Sequence, residues 1–365
     1  MSSRPSLPSI FACNGLTDAD YDNCLRFACA KCPDRDLQVL QEQGGCSLTL
    51  RAPSKPSGGH ENAVIIQFRL PQYAVSIPIA SAAAQMYPFL APQTCELGHV
   101  APQDGMRLQL LEMLDLSGQR FSELQPRTPT LTGHALAAML TLVRSLATFF
   151  AMQWSKAASA CAVPGRIGGS IVDRLQALER DLPTAALRQR AAWVRQEVKD
   201  GVLNTLPTVL THGDLIPSNT LVDQQTWRIV GLIDWAEAEW LPFGISLYGL
   251  EHLLGYLEKG DDHGKSRFCY FTQARELWDA FWTEIEQQCP EIVAEPVRSA
   301  VDLARDAGIL LWHGIAWDGG RLDRFIGAYD DEAEFELLQA FLEIRPRQQR
   351  HDSVVYYSSP VRYVE

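Results

Sequence analysis

Residues 210–243 read LTHGDLIPSNTLVDQQTWRIVGLIDWAEAEWLPF and concentrate the reactive side chains of the chain. His212 stands two residues before Asp214, Asn219 five after it, and Asp234 a further fifteen on. An aspartate held in a loop accepts a hydroxyl proton. Asn and Asp side-chain oxygens suit Mg²⁺, a hard cation that takes oxygen ligands and keeps several waters. Mg²⁺ bridges phosphate oxygens, so a base and two such ligands at these spacings describe phosphoryl transfer to a hydroxyl. The competing reading is a strand–turn–strand in which Asp214 and Asn219 make only turn hydrogen bonds. It suits either residue alone but not the joint pattern.

Positioning these groups falls to apolar runs. VL before His212 and WRIVGLI before Asp234 read as strands, joined by a hairpin-like spacer. Both the loop at Asp214 and the turn at Asp234 thus follow strand ends.

The segment HGDLIPSN has the spacing of a kinase catalytic loop, with Gly213 where the protein-kinase pattern has Arg. IDWAE falls where the Asp-Phe-Gly element would lie. On these residues the chain resembles the aminoglycoside phosphotransferase and choline kinase-like branch of the protein-kinase fold, fungal members in particular. The likeness extends over most of the chain and is specific at residues 205–245. It implies an α+β, protein-kinase-like two-lobed fold, with a small β-rich N-terminal lobe and a larger helical C-terminal lobe. It also implies Asp214 as the base that orients the acceptor hydroxyl, Asn219 and Asp234 as Mg²⁺ ligands, and His212 as a brace for the loop. ATP or GTP would be the co-substrate. Gly213, and the lack of an extended activation segment, argue against a protein kinase.

The elements fit that outline. Thr17 caps a helix over 17–31, with Asp18 and Asp20 in its first turn. Strands follow in LQVLQ, CSLTLRA and NAVIIQFRL, then a helix over 75–87 and strands at 96–100 and 107–113. In AVIIQFR, Val64, Ile66 and Phe68 share one face, and Ile65, Gln67 and Arg69 the other. Beyond residue 114 the periodicity turns helical: 131–154, with Leu136, Leu140, Val143, Ala147 and Phe150 as its stripe, then 170–181, 184–201, 246–258, 270–288, 295–316 and 331–343. The domains are read as 1–113, a nucleotide-binding lobe, 114–345, a helical lobe with the catalytic and metal site, and 346–365, a polar tail.

The N-terminal lobe departs from the pattern. Kinases place a cation on a strand for the phosphates and a carboxylate on the next helix to hold it. The only lysines among the first 150 residues are Lys31, near a helix end, and Lys55, in a loop. Arg69 is the candidate on a strand, set against the reading of a surface charge. No Asp or Glu lies between Gln72 and Thr94, and Gln85 is the polar group available to meet the guanidinium. Gly44 and Gly45, with Ser47 after them, form a short loop that would let backbone approach a phosphate; an ordinary hairpin turn reads equally well. Glu112 and Met113 sit where a strand leaves the lobe, and by resemblance their backbone meets the nucleotide base. These departures motivate a second reading, a pseudoenzyme of this fold that binds a nucleotide or metabolite without transfer.

Trp235, Glu237 and Trp240 follow the second metal ligand. Acidic and aromatic groups suit an ammonium or amino-sugar acceptor through charge and cation–π contact; core Trp and solvated Glu are the plainer reading. His313, Trp317 and Asp318 are weaker candidates for the same cleft.

A net charge of −12 argues against nucleic acid and is compatible with a cationic substrate. Nine scattered Cys, with no second CxxC to answer CAKC, read as reduced thiols rather than a zinc site. No run approaches the roughly 20 apolar residues of a membrane span. The first residues lack a secretory pattern, which makes cytoplasm the expected location. The expected partner is a small hydroxylated molecule, with no nucleic acid and no membrane.

Overall fold

The computed structural model describes residues 13–33, 35–41, 43, 45–54, 62–101, 107–157, 165–258, 265–318, 321–328 and 330–343. It has the two-lobed α+β, protein-kinase-like fold. Helix α1 (Asp18–Lys31) opens with a full capping box: Thr17 Oγ1 accepts from the Asp20 N–H, and Asp20 accepts from the Thr17 N–H. Its buried face, Tyr21, Cys24 and Ala28, packs on a five-stranded antiparallel sheet. The strands are β1 (Gln38–Val39), β2 (Ser47–Ala52), β3 (Val64–Arg69), β4 (Thr94–Val100) and β5 (Leu108–Leu114), in the order β1-β2-β3-β5-β4. Alternation in β3 works as the sequence requires. Val64, Ile66 and Phe68 enter the core under α1, while Ile65, Gln67 and Arg69 line the cleft below.

Helix α2 (Ile77–Met86) crosses from this sheet to the large lobe. Ala83 and the following Tyr87 belong to the large-lobe core, and Tyr87 Oη donates to the Leu210 carbonyl at 2.7 Å. The remaining elements of the catalytic half are short. β6 (Gln119–Arg120), β8 (Thr220–Val222) and β9 (Ile229–Leu232) form a three-stranded sheet. β7 (Thr208–Thr211) pairs antiparallel with β10 (Glu239–Pro242), Leu210 opposite Trp240.

Helices supply the mass around them: α3 (Phe121–Leu124), α4 (Gly133–Ser155), α5 (Ile171–Asp181), α6 (Ala185–Lys199), α7 (Tyr248–Glu251), α8 (Ala274–Gln288), α9 (Val297–His313) and α10 (Glu332–Phe341). By length and composition α4 is apolar enough to cross a bilayer, a match that counting apolar runs along the chain does not foresee. Its Phe149 and Phe150 are buried, and Phe150 packs edge-on against Phe243 and against Phe281 of α8.

Two segments depart from the helices expected. Over 246–258 only α7 is helical; β11 (Gly255–Glu258) then pairs with β12 (Arg267–Tyr270). Gly255 lies so close to the partner strand that a Cβ there would overlap the Cys269 carbonyl, a contact a strand tolerates only with Gly. The helix expected over 295–316 stops at His313, and β13 (Ile315–Asp318) turns back into β14 (Arg321–Phe325). The tail at 346–365 lies outside the described residues.

Candidate active site

The catalytic loop hangs from β7. Two buried side chains hold the last turn of that strand: Tyr87 and Gln153, whose Nε2 donates to the same Leu210 carbonyl at 3.1 Å. Gly213 follows with φ +80°, and a Cβ there would lie 1.9 Å from the Glu237 carbonyl. Only glycine passes this point, because the loop runs against the turn that follows Asp234.

His212 ties the two halves of the motif together. It is fully buried; Nε2 lies 2.9 Å from the Ile233 carbonyl, and Nδ1 accepts from the Asp214 N–H at 3.2 Å. A carbonyl can only accept, so the proton sits on Nε2. Burial lowers the imidazole pKa to about 4, which keeps it neutral. Trp235 packs 4.6 Å from its ring and stacks on Tyr87.

Asp214 Oδ2 accepts from Asn219 Nδ2 at 2.6 Å, while Oδ1 is buried with no hydrogen-bond partner among the described residues. Burial, then the nearby Asp234 charge, raises the carboxyl pKa to about 7. Asn219 spends Nδ2 on the Asp214 carboxylate and carbonyl, so its Oδ1 is left for another group. Asp234 has left-handed backbone, φ 64°, at the end of β9. The Asn219 amide oxygen and the Asp234 carboxylate form a hard-oxygen pair that fits Mg²⁺.

Above them lies a cleft of about 550 Å³. Ser47, Gln67, Arg69 and Met113 line it from the sheet, Leu116 from the connection, and Asn219 and Asp234 from below. Arg69 is not a surface charge. It is 3% exposed, and its Nη1 lies 3.2 Å from Asp234 Oδ1. Its Nε donates to the Tyr73 carbonyl at 2.7 Å and its Nη1 to Gln67 Oε1 at 3.1 Å. Gln85, expected to meet it, is exposed on the far side of α2 and makes no such contact. The sequence does not single out Tyr73 or Gln67. Gln67 is recoverable, because strand alternation puts it on the Arg69 face. The Tyr73 carbonyl carries no side-chain signal.

Other expected residues are placed differently. Glu112 points away from the cleft, to Arg35 at 3.8 Å and Cys32, because Met113 takes the inward position in β5. Backbone at both residues pairs within the sheet, and even the Leu114 and Asp115 N–H groups are bonded, to Gln93 and Ala63. The unpaired connection therefore begins two residues later than the sequence suggests. Ser47 Oγ shares a 3.0 Å hydrogen bond with Thr49. Gly45 borders the cleft with open space where a Cβ would be, and Gly44 lies outside the described residues.

Trp235 is 5% exposed, with Nε1 bonded to the Leu232 carbonyl, so it is core. Trp240 lies in β10, packed on the same core. Neither forms an aromatic cage. Glu237 faces Arg166 at 3.2 Å, and both line a small cavity of about 50 Å³ beside Gly213. Burial raises the Glu237 pKa.

Comparison with known proteins bears on the fold. Residues 71–245 match the model of the phosphotransferase enzyme family, APH. Macrolide 2'-phosphotransferase MphH from Brachybacterium faecium has the same fold, with a TM-score of 0.51, 17% identity, and coverage of 91% of this chain and 100% of its own. Aminoglycoside phosphotransferase APH(4)-Ia, solved with ADP and hygromycin B, superposes with a TM-score of 0.52 at 14% identity, covering 87% of this chain and 97% of its own. No curated protein compared with the chain matches it in sequence.

Proposed function

We propose that this protein is a small-molecule kinase that transfers the γ-phosphoryl group of ATP or GTP to a hydroxyl of a small acceptor. The convergence of Asn219, Asp234 and Arg69 at one interlobe cleft, with Asp214 bonded to Asn219 behind its wall, carries this reading. Asn219 and Asp234 would hold Mg²⁺, which when bound would neutralise phosphate charge. Arg69, fixed by Tyr73 and Gln67, meets the nucleotide phosphates. Asp214 accepts the acceptor proton; its bond from Asn219 orients the carboxylate, and its pKa of about 7 matches a base working near neutrality. His212 holds the loop in register without titrating.

Support for the acceptor being small comes from the family and from the partners in the solved relative, ADP and hygromycin B. The test is ADP release from Mg·ATP over a panel of hydroxylated amines, sugars and secondary metabolites. Turnover by the parent and its loss by at least ~10²-fold in Asp214→Ala, with nucleotide binding kept, is the expected result. Near-normal turnover by Asp214→Ala would remove Asp214 from the role of base.

One observation favours a second reading, a nucleotide-binding protein without transfer: Arg69 already sits on Asp234 Oδ1, a ligand position. Mg²⁺-dependent nucleotide binding with no ADP formed from any acceptor or from water would select it.

A further inference from the structure

A second cavity, of about 400 Å³, lies on the other side of the catalytic loop, bordered by Ile216 and Pro217. Its size is that of a small-molecule site. Trp312 is shared between it and the small cavity beside Gly213, and Ile216 on its wall donates its N–H to the Asp214 carbonyl at 3.1 Å. The cavity therefore neighbours the proposed base. Trp235, Glu237 and Trp240, the acceptor-binding candidates of the sequence, do not line it.

Two of its lining side chains are buried histidines with an unspent nitrogen. His313 is 1% exposed and His252 8%, and Nε2 of each has no hydrogen-bond partner among the described residues. A buried polar atom left unpaired costs roughly 1–3 kcal/mol, so two in one cavity call for a ligand. Neither ring is free to turn away. Phe341 packs at near right angles on both, with centroids 5.0 and 5.1 Å away, and Tyr248 on His313 at 6.0 Å. His313 Nδ1 lies 2.7 Å from Glu334 Oε2. The carboxylate can only accept, so Nδ1 carries a proton and Nε2 is the nitrogen left for a ligand.

Around these nitrogens the wall is apolar: Leu257, Phe268, Ile315 and Leu337. The acids are few. Asp331 is held by two bonds from Arg324 and one from the Gly327 N–H, which leaves Glu334 as the carboxylate open to a ligand. We propose that this cavity is the acceptor site of the transfer proposed above, and that His313 and His252 select an alcohol with an apolar body and at most one amine. The histidine nitrogens take the hydroxyl or N–H groups of the ligand that do not react. The apolar wall takes its body, and Glu334 the single positive charge. A polycationic amino sugar would find one carboxylate for several ammonium groups and is disfavoured.

The inference rests on the kinase reading for the word acceptor, and binding tests it separately. Thermal melting of the full chain is measured without nucleotide, in the presence of menthol, geraniol or 2-(cyclohexylamino)ethanol, and of hygromycin B or neomycin. At least one of the first group raises Tm by about 2 °C or more, and the second group does not. The shift is lost in His313→Phe, and that of 2-(cyclohexylamino)ethanol is at least halved in Glu334→Gln, which alters a half-exposed side chain and guards against misfolding of the core variant. No shift with any of the three alcohols, an equal shift in both variants, or a shift with the polycations alone overturns the inference. Failure of the kinase reading shows elsewhere, as no Mg·ATP-induced shift or no ADP release with a bound alcohol.

Discussion

Gly213 shows how one backbone conformation fixes the geometry of the motif. Its φ of +80°, and a Glu237 carbonyl that would overlap any Cβ, leave room for hydrogen alone. Gly213→Ala must push the loop off the turn after Asp234, which moves Asp214 relative to Asn219. A loss of roughly 2–4 kcal/mol in denaturant unfolding, with turnover lost, is expected. An alanine variant with parental stability would show that the two segments are not in contact. The reason for glycine here is not legible in the sequence, because Glu237 is 24 residues away and its carbonyl leaves no mark on side-chain type. Asp214, Asn219 and Asp234 are legible, since strand ends fix their spacing. Trp235 is not: a single turn gives no period from which to read which way a ring points.

Asp214 also makes a prediction in pH. Its folded pKa of about 7 lies above the ordinary 3.8, so between those values the folded protein binds more protons than the unfolded chain. Stability therefore falls as pH rises through that window. Asn at this position cannot ionise and escapes the cost. In EDTA, Asp214→Asn should be more stable than the parent by about 1–3 kcal/mol at pH 8 and equal to it at pH 4. Urea unfolding at the two pH values measures this. A variant less stable at pH 8 would mean that Asp214 is ionised without cost.

At the scale of elements, β3 delivers Arg69 and the turn after it holds the guanidinium. The strand is legible from alternation, and so is the inward face shared by Ile65, Gln67 and Arg69. What holds Arg69 is not, because the pattern of the fold sends attention to a helix carboxylate. Here the Tyr73 carbonyl and Gln67 replace that carboxylate. Lysine has no planar fork to bond Tyr73, Gln67 and Asp234 at once. Arg69→Lys should therefore raise KM for ATP by about tenfold or more, a loss near 1.4 kcal/mol, with a smaller change in kcat. Steady-state kinetics with varied ATP test it; an unchanged KM would take Arg69 out of phosphate binding. Helix α1 is readable nearly to the residue because its capping box is local. The hairpin β13–β14 escapes the sequence reading although WDGGR is a turn signal, since the apolar period of α9 carries on past Gly314.

For the whole molecule, the lobes meet around a cleft whose floor is acidic. Asp234 lines it, Asp214 sits behind Asn219, and the Glu237 charge is near enough to act on Asp214, on a chain of net charge −12. The burial that raises the Asp214 and Glu237 pKa values also makes a bare triphosphate unwelcome. Two of the arginines that line the cleft are already engaged, Arg69 through Nη1 near Asp234 and Arg51 through Nε on Asp115. Nucleotide binding must therefore depend on a divalent cation for charge, apart from any role in transfer. A ligand at 100 times its dissociation constant, bound only to the folded state, stabilises it by about 2.7 kcal/mol. For a chain of this size that corresponds to a rise in Tm of a few degrees, on the order of 1–2 °C per kcal/mol. Millimolar ATP with Mg²⁺ should produce this rise, and the same ATP in EDTA should produce less than about a quarter of it. An equal rise in EDTA would mean that the sheet lobe holds the triphosphate without help from a cation at the acidic floor.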